Sequence, residues 1–242
     1  MQLFQWIADI PTLVMNNYPI LLQGLWLTVR ITFTAIVVGI IWGTFLALMR
    51  LSNSKVLNSF AKIYVTTFRS IPLLLVLMWF YFAFPQIIKY LLPDADVGTS
   101  CAIIAFTLFE AAYYSEIIRA GINAVSKGQY HAASALGMTK SQSMRLIILP
   151  QAFRAMVPLL LTQGIILFQD TALVSTIGLV DLLGAAVKRI GENMGSTAQY
   201  SMIIFVAITY FIICFGTPRI IRFIIGFGTP RIIRKISFFK KG

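Results

Sequence analysis

Residues Lys127–Pro150 read KGQYHAASALGMTKSQSMRLIILP, a stretch set between two apolar segments and too polar and Gly-broken to cross a bilayer itself. Gln129–Leu136 is Ala-rich and favours a helix, and Gly137 falls where such a helix would end in a left-handed residue. Thr139 with Gln142 has the spacing of a capping box, so a second helix is expected to start at once, and Pro150 is expected to end the unit. Helix, glycine hinge and helix make a compact protrusion with a small-residue surface, suited to a partner's groove outside the membrane.

On either side of this stretch the chain is apolar. Of its 242 residues 58% are hydrophobic and 12% charged, and the mean hydropathy is +0.84. These values exclude an ordinary soluble domain and mark a polytopic, all-α membrane protein. The net charge of +12 does not point to nucleic acid, because the Lys and Arg residues punctuate apolar runs and are not gathered on one water-exposed face. Cys101 and Cys214 lie far apart without metal-ligand spacing and read as packing residues. The N-terminus has no basic region before an apolar core, so a cleaved signal is not expected.

The pattern divides the chain into three regions. Residues 1–21 hold two prolines and the aromatic residues Trp6 and Tyr18, and are expected to lie in the outer interface. Residues 22–217 are expected to cross the membrane five times, from about Leu22 to Met49, Ser70 to Ile88, Cys101 to Ile122, Ala155 to Leu179 and Tyr200 to Thr217. The polar loop 181–199 precedes the last span. Residues 218–242 form a basic tail with a tandem duplication: FIICFGTPRIIR at Phe211–Arg222 is followed by FIIGFGTPRIIR at Phe223–Arg234. The second copy is expected to lie on anionic lipid and not to span.

The positive-inside rule orients these spans. Arg50, Lys55, Lys62, Arg69, Arg119, Lys127, Lys140, Arg145, Arg154 and every Lys and Arg after Thr217 fall on one side; Lys89, Lys188, Arg189 and, at its interface, Arg30 fall on the other. The N-terminus is therefore expected outside, and the C-terminus and residues 125–150 in the cytoplasm. No GxxxxGK[ST] motif occurs, so any ATPase must be a separate chain.

Polar residues inside spans face inward, pair, or line a path. Glu116 and Arg119 are three apart on one helical face, where either a structural ion pair or a transport role fits. Glu110 has no cation at helical spacing. Gln169, Asp170 and Thr171 lie deep in the fourth span, with Thr162 and Gln163 on a polar face below them. Glu110, Glu116, Gln169, Asp170 and Thr171 are thus candidates for a translocation pathway; interhelical hydrogen bonding accounts for the same residues. No catalytic, metal-binding or cofactor-binding constellation is present in the sequence.

The order Ala132, Ala133, three residues, Gly137, nine residues, Ile147, one residue, Leu149, Pro150 resembles the EAA loop of ABC importer permeases. FRSIPLLLVL at Phe68–Leu77, FEAAYYSEIIRAGI at Phe109–Ile122 and LPQAFRAMVPLLLTQGIILFQDTALV at Leu149–Val174 are similar to the polar amino-acid branch of that family. Within the branch, the likeness is greatest to permease subunits of glutamate/aspartate importers. It covers about Leu22–Tyr210 and fails in the repeated tail. The resemblance implies the type I ABC importer transmembrane fold and a non-enzymatic subunit of the bacterial inner membrane. Its implied partners are ABC ATPase subunits, a second permease subunit, either a homologue or the same chain, and a periplasmic solute-binding protein delivering an amino acid. It also implies that Gly128, Gln129, His131, Ala132, Ala133, Gly137, Ile147, Leu149 and Pro150 couple the permease to the ATPase. His131 departs from the family, which often has Glu there, and Gln169 stands where many relatives have Lys. An ion-coupled secondary carrier using Glu110, Glu116 or Asp170 is the alternative, but five spans with one cytoplasmic loop fit an inverted-repeat carrier poorly.

Overall fold

The computed structural model describes residues 2–91 and 93–228, with the backbone alone for 2–5 and 220–228, and every regular element in it is helical. The first helix, α1, runs from Gln2 to Leu51. The expected interfacial segment 1–21 and the first span from about Leu22 are thus continuous in one helix. The helix kinks at Asn17, whose backbone leaves the helical region (φ −124°, ψ 15°) just ahead of Pro19. The Asn17 side-chain amide donates to the Leu13 carbonyl at 2.9 Å, supporting the broken turn.

Beyond the kink α1 packs along α5 (Val97–Asn123). The two backbones approach closely at Gly43, where a Cβ would stand 2.8 Å from the Ala111 carbonyl oxygen. α5 starts one turn ahead of the apolar run because Asp96 caps it, accepting from the Thr99 amide at 3.0 Å and from the Thr99 hydroxyl. Those bonds, led by the hydroxyl, hold the Asp96 carboxyl below its ordinary range.

Between them the chain departs from an uninterrupted Ser70–Ile88 span. Helix α2 (Lys55–Ser70) and helix α3 (Leu73–Ala83) meet at 102°. Ile71 is extended because it precedes Pro72, whose ring excludes the helical conformation at that position. A second break at Phe84 separates α3 from α4 (Pro85–Leu91), where proline opens the helix without losing a bond. α3 buries Leu73, Val76, Leu77 and Phe80 against Ala102, Ala105, Phe106 and Phe109 of α5.

The central stretch gives α6 (Lys127–Ala135), α7 (Lys140–Ser143) and α8 (Leu149–Asp170). Pro150 does not end the unit. A π-helical turn, Met144–Ile148, joins α7 to α8, with the Leu149 amide bonding to the Met144 carbonyl. The widened turn lets a residue lacking N–H follow without stopping the helix. A 3-10 turn, Thr171–Ile177, extends α8 to Gly178, which has φ +87°.

The stretch expected as a polar loop folds back onto the bundle. Asp181 accepts from the amides of Leu183 (3.2 Å) and Gly184 (2.9 Å) and starts a π-helical segment, Gly184–Gly191. Ala185, Ala186 and Ile190 are buried there with Leu21, Met202 and Val206. The short α9 (Glu192–Met194) and the long α10 (Ser196–Gly228) complete the chain. α10 passes through Pro218 and carries the whole first repeat and the start of the second; Thr229–Arg234 lie outside the described residues.

Trp6–Leu51, Val97–Asn123, Lys140–Ile177 and Ser196–Arg219 are each long and apolar enough to cross a membrane, and the α2–α3 pair, taken together as one bent segment, brings the number to five. The described residues of Lys140–Ile177 and Ser196–Arg219 are mostly unburied within the subunit.

Candidate functional site

Two groups of polar or small residues stand out from the bundle. The first is the protrusion formed by α6 and α7. Ser126 caps α6 by accepting from the Gly128 amide at 3.2 Å. At the other end, the Gly137 amide bonds to the Ser134 carbonyl (3.0 Å) and the Met138 amide to the Ala133 carbonyl (3.1 Å). This Schellman pattern needs a left-handed residue, and Gly137 has φ +73°. Both halves of the next capping box are formed, the Gln142 amide to Thr139 Oγ1 at 3.2 Å and the Thr139 amide to Gln142 Oε1 at 2.9 Å.

Small and apolar groups share this surface. Gly128, Gln129, His131, Ala132, Gly137, Leu149 and Pro150 are exposed, Ile147 is half-buried and Ala133 is buried. Leu136 and Leu146 are 78% and 69% exposed beside them. Beneath, Val125, Ile148, Ala152 and Met156 form a core with Ile118 and Ile122 at the end of α5. Gln151 Nε2 donates to Gln129 Oε1 at 3.2 Å, tying α8 to α6. The protrusion is therefore packed onto the spanning helices and not suspended on a linker.

The second group lies within the bundle. Glu110, fully buried in the middle of α5, accepts from Gln163 Nε2 of α8 at 3.2 and 3.1 Å on its two oxygens. One heptad further along α8, Asp170 is half-buried; its neighbour Gln169 is exposed, and Thr171 is buried with its hydroxyl on the Phe168 carbonyl at 2.6 Å. Glu116 is not with them. Six residues beyond Glu110 on the helix, it projects elsewhere and forms ion pairs with Arg119 and with Arg50 at the end of α1. The Arg119 partner is legible from i,i+3 spacing; Arg50 is not, because the contact depends on how α1 returns against α5. A cavity of about 320 Å³ between α1, α8 and α10 is lined by Ile36, Ile40, Leu161, Ile165 and Ile213 among others, with no charged group. It does not suit a hydrophilic solute.

Spanning helices, a packed protrusion at one end and buried polar contacts between helices define a polytopic, all-helical membrane protein. The chain belongs to the family of binding-protein-dependent transport system inner membrane components, whose model matches residues 35–225. It is 55% identical over 213 residues to the glutamate/aspartate import permease protein GltK of Escherichia coli O157:H7, covering 87% of this chain and 92% of that one. It is 35% identical to the arginine transport system permease protein ArtQ of Bacillus subtilis, over 81% and 86% of the two chains. Among solved structures, an amino acid ABC transporter crystallised with histidines aligns with a TM-score of 0.75 and 32% identity, over 86% of this chain and 93% of that one. The fold is also that of a subunit of the inward-facing MetNI methionine ABC transporter, with a TM-score of 0.67 and 23% identity over 84% and 95% of the chains. This chain is thus an inner-membrane ABC importer permease that leaves ATP hydrolysis to separate subunits, and the ion-coupled carrier reading is set aside.

Proposed function

We propose that this permease carries glutamate and aspartate inward, receiving them from a solute-binding protein on the outer face. The observation behind this reading is the 55% identity, spread over 92% of a glutamate/aspartate import permease. In the same reading a second permease subunit, a homologue or another copy, covers the poorly buried faces of α8 and α10, and ABC ATPase subunits bind the α6–α7 protrusion. The exposed Gly128, Gln129, His131, Ala132 and Gly137, flanked by Leu136 and Leu146, favour groove docking: they allow close approach and offer apolar area. Ile147, Leu149 and Pro150 carry that contact into α8, the helix that holds Gln163 against Glu110. Glu110, Gln169, Asp170 and Thr171 border the solute's path, while Glu116 braces α1 against α5.

The test is uptake. Cells lacking their own acidic amino-acid importers, supplied with this chain and its companion subunits, are expected to accumulate labelled glutamate and aspartate, with unlabelled glutamine and arginine competing weakly. Uptake of a neutral or cationic amino acid in preference to both would overturn the substrate.

A further inference from the structure

Helix α2 presents three different faces. Ala61 and Val65 are buried with Leu46, Ala111 and Ala112. Val56, Phe60 and Ile63 form an exposed apolar edge, and Lys55, Ser59, Lys62, Thr66, Arg69 and Ser70 form an exposed polar one. Lys55, Lys62 and Arg69 recur every seven residues, which returns each to within about 20° of the last on an α-helix. The polar edge begins at a hollow of about 250 Å³ lined by Ser52, Asn53, Ser54, Lys55, Asn58 and Ser59, in the turn after α1. It ends at the 102° elbow, where the Arg69 guanidinium carbon lies 5.3 Å from the centre of the Tyr113 ring. Tyr113 lies about 15 Å along α5 from the helix end at Asn123, well inside a spanning segment.

Arg69 is exposed at that depth and forms no ion pair among the described residues. A lipid-facing arginine there would be costly, so its surroundings must be wet or supply an anion. The ring of Tyr113 holds the guanidinium without neutralising it. We propose that the polar edge of α2 is an anion track and that Arg69 receives a carboxylate of the solute. The proposal rests on the acidic amino-acid reading above. Glutamate and aspartate bring two carboxylates and one ammonium. Ionised Glu110 and Asp170 would answer the ammonium, and the candidate pathway residues include no cation to balance the carboxylates. A guanidinium can grip a carboxylate through two parallel hydrogen bonds, whereas Lys62 and Lys55 act as point charges that hold less specifically and let the solute pass on.

The experiment is glutamate uptake by cells carrying the complete transporter. R69Q is expected to raise the apparent KM at least tenfold, with R69K intermediate, K62Q raised several-fold, and K89Q, exposed on α4 away from the track, unchanged. In a chain with Cys101 and Cys214 replaced by Ala, R69C is expected to regain uptake after a cationic methanethiosulfonate reagent and not after an anionic one. An unchanged KM in R69Q, or equal effects of the two reagents on R69C, would overturn the track and leave the substrate reading standing. If R69Q fails to accumulate in the membrane, the R69C chemistry decides. A wild-type transporter that takes up neither glutamate nor aspartate overturns the substrate reading instead.

Discussion

At the scale of single residues, Gly137 and Asp181 do measurable work for different reasons. A Cβ on Gly137 would meet nothing within 4 Å, so inside the subunit a side chain conflicts only with the left-handed backbone. Gly137→Val should cost about 1 kcal/mol or more locally. Asn tolerates that backbone but adds volume, so Gly137→Asn separates turn from contact. If the protrusion docks on the ATPase, both variants should insert normally and lose the stimulation of ATP hydrolysis by loaded binding protein. Normal coupling in Asn alone would assign the glycine to the turn. At Asp181, burial pushes the carboxyl from 3.8 up to about 6, against the opposing help of the Gly184 and Leu183 amides and of Lys188. A raised folded-state value means the favourable contribution is complete below about pH 4 and is lost as pH rises through about 6. Thermal unfolding in detergent should therefore show stability falling across that window by roughly 2–3 kcal/mol, and Asp181→Asn should flatten the dependence. A wild-type profile flat from pH 4 to 7 would rule this out.

At the scale of elements, sequence reading did best where one local rule had no competitor. The Gly137 turn and the Thr139–Gln142 box follow from short-range chemistry. Proline was the recurring difficulty. Pro72 breaks its segment as its ring dictates, but Pro150 and Pro218 lie inside helices, the former after a π turn that no propensity announces. The segment after Asp181 was missed because its buried face is Ala and Gly apart from Ile190, and so carries little hydropathy signal, while Lys188 and Arg189 make it look solvated. α10 bears on the duplicated tail. Deleting Phe223–Arg234 leaves the apolar Ser196–Arg219 span whole and rejoins Arg222 to the basic end. Membrane insertion, followed by carbonate extraction, and uptake should both stay close to wild type. Failure to insert would mean that the second copy belongs to the last span.

At the scale of the whole molecule, the number of crossings was legible from charge-free runs, but their shapes were not. The extent of α1 and the α2–α3 elbow are set by packing on α5, which a one-dimensional pattern does not contain. Of the candidate pathway residues, Glu110 is held against α8 by Gln163, Asp170 lies one heptad beyond Gln163, Gln169 is exposed and Thr171 is buried in the 3-10 turn that follows, whereas Glu116 turns to Arg50 at a place readable only once α1 is folded back. Orientation rests on charge, and it has a direct check. In intact cells a membrane-impermeant thiol reagent should label a cysteine placed at Asp94 or Glu192 and spare one at Lys140. Labelling at Lys140 would invert the molecule and remove the ATPase from the α6–α7 face. The π turn before Pro150 has one more consequence. Because it keeps the backbone helical from Lys140 through Pro158 to Asp170, that path is about 46 Å long. Moving as one body, a helix of that length would act as a lever, and a tilt of about 10° at the protrusion would sweep its far end, near Asp170, through roughly 8 Å. Small motions imposed on one surface would thus become displacements as large as an amino acid at the other.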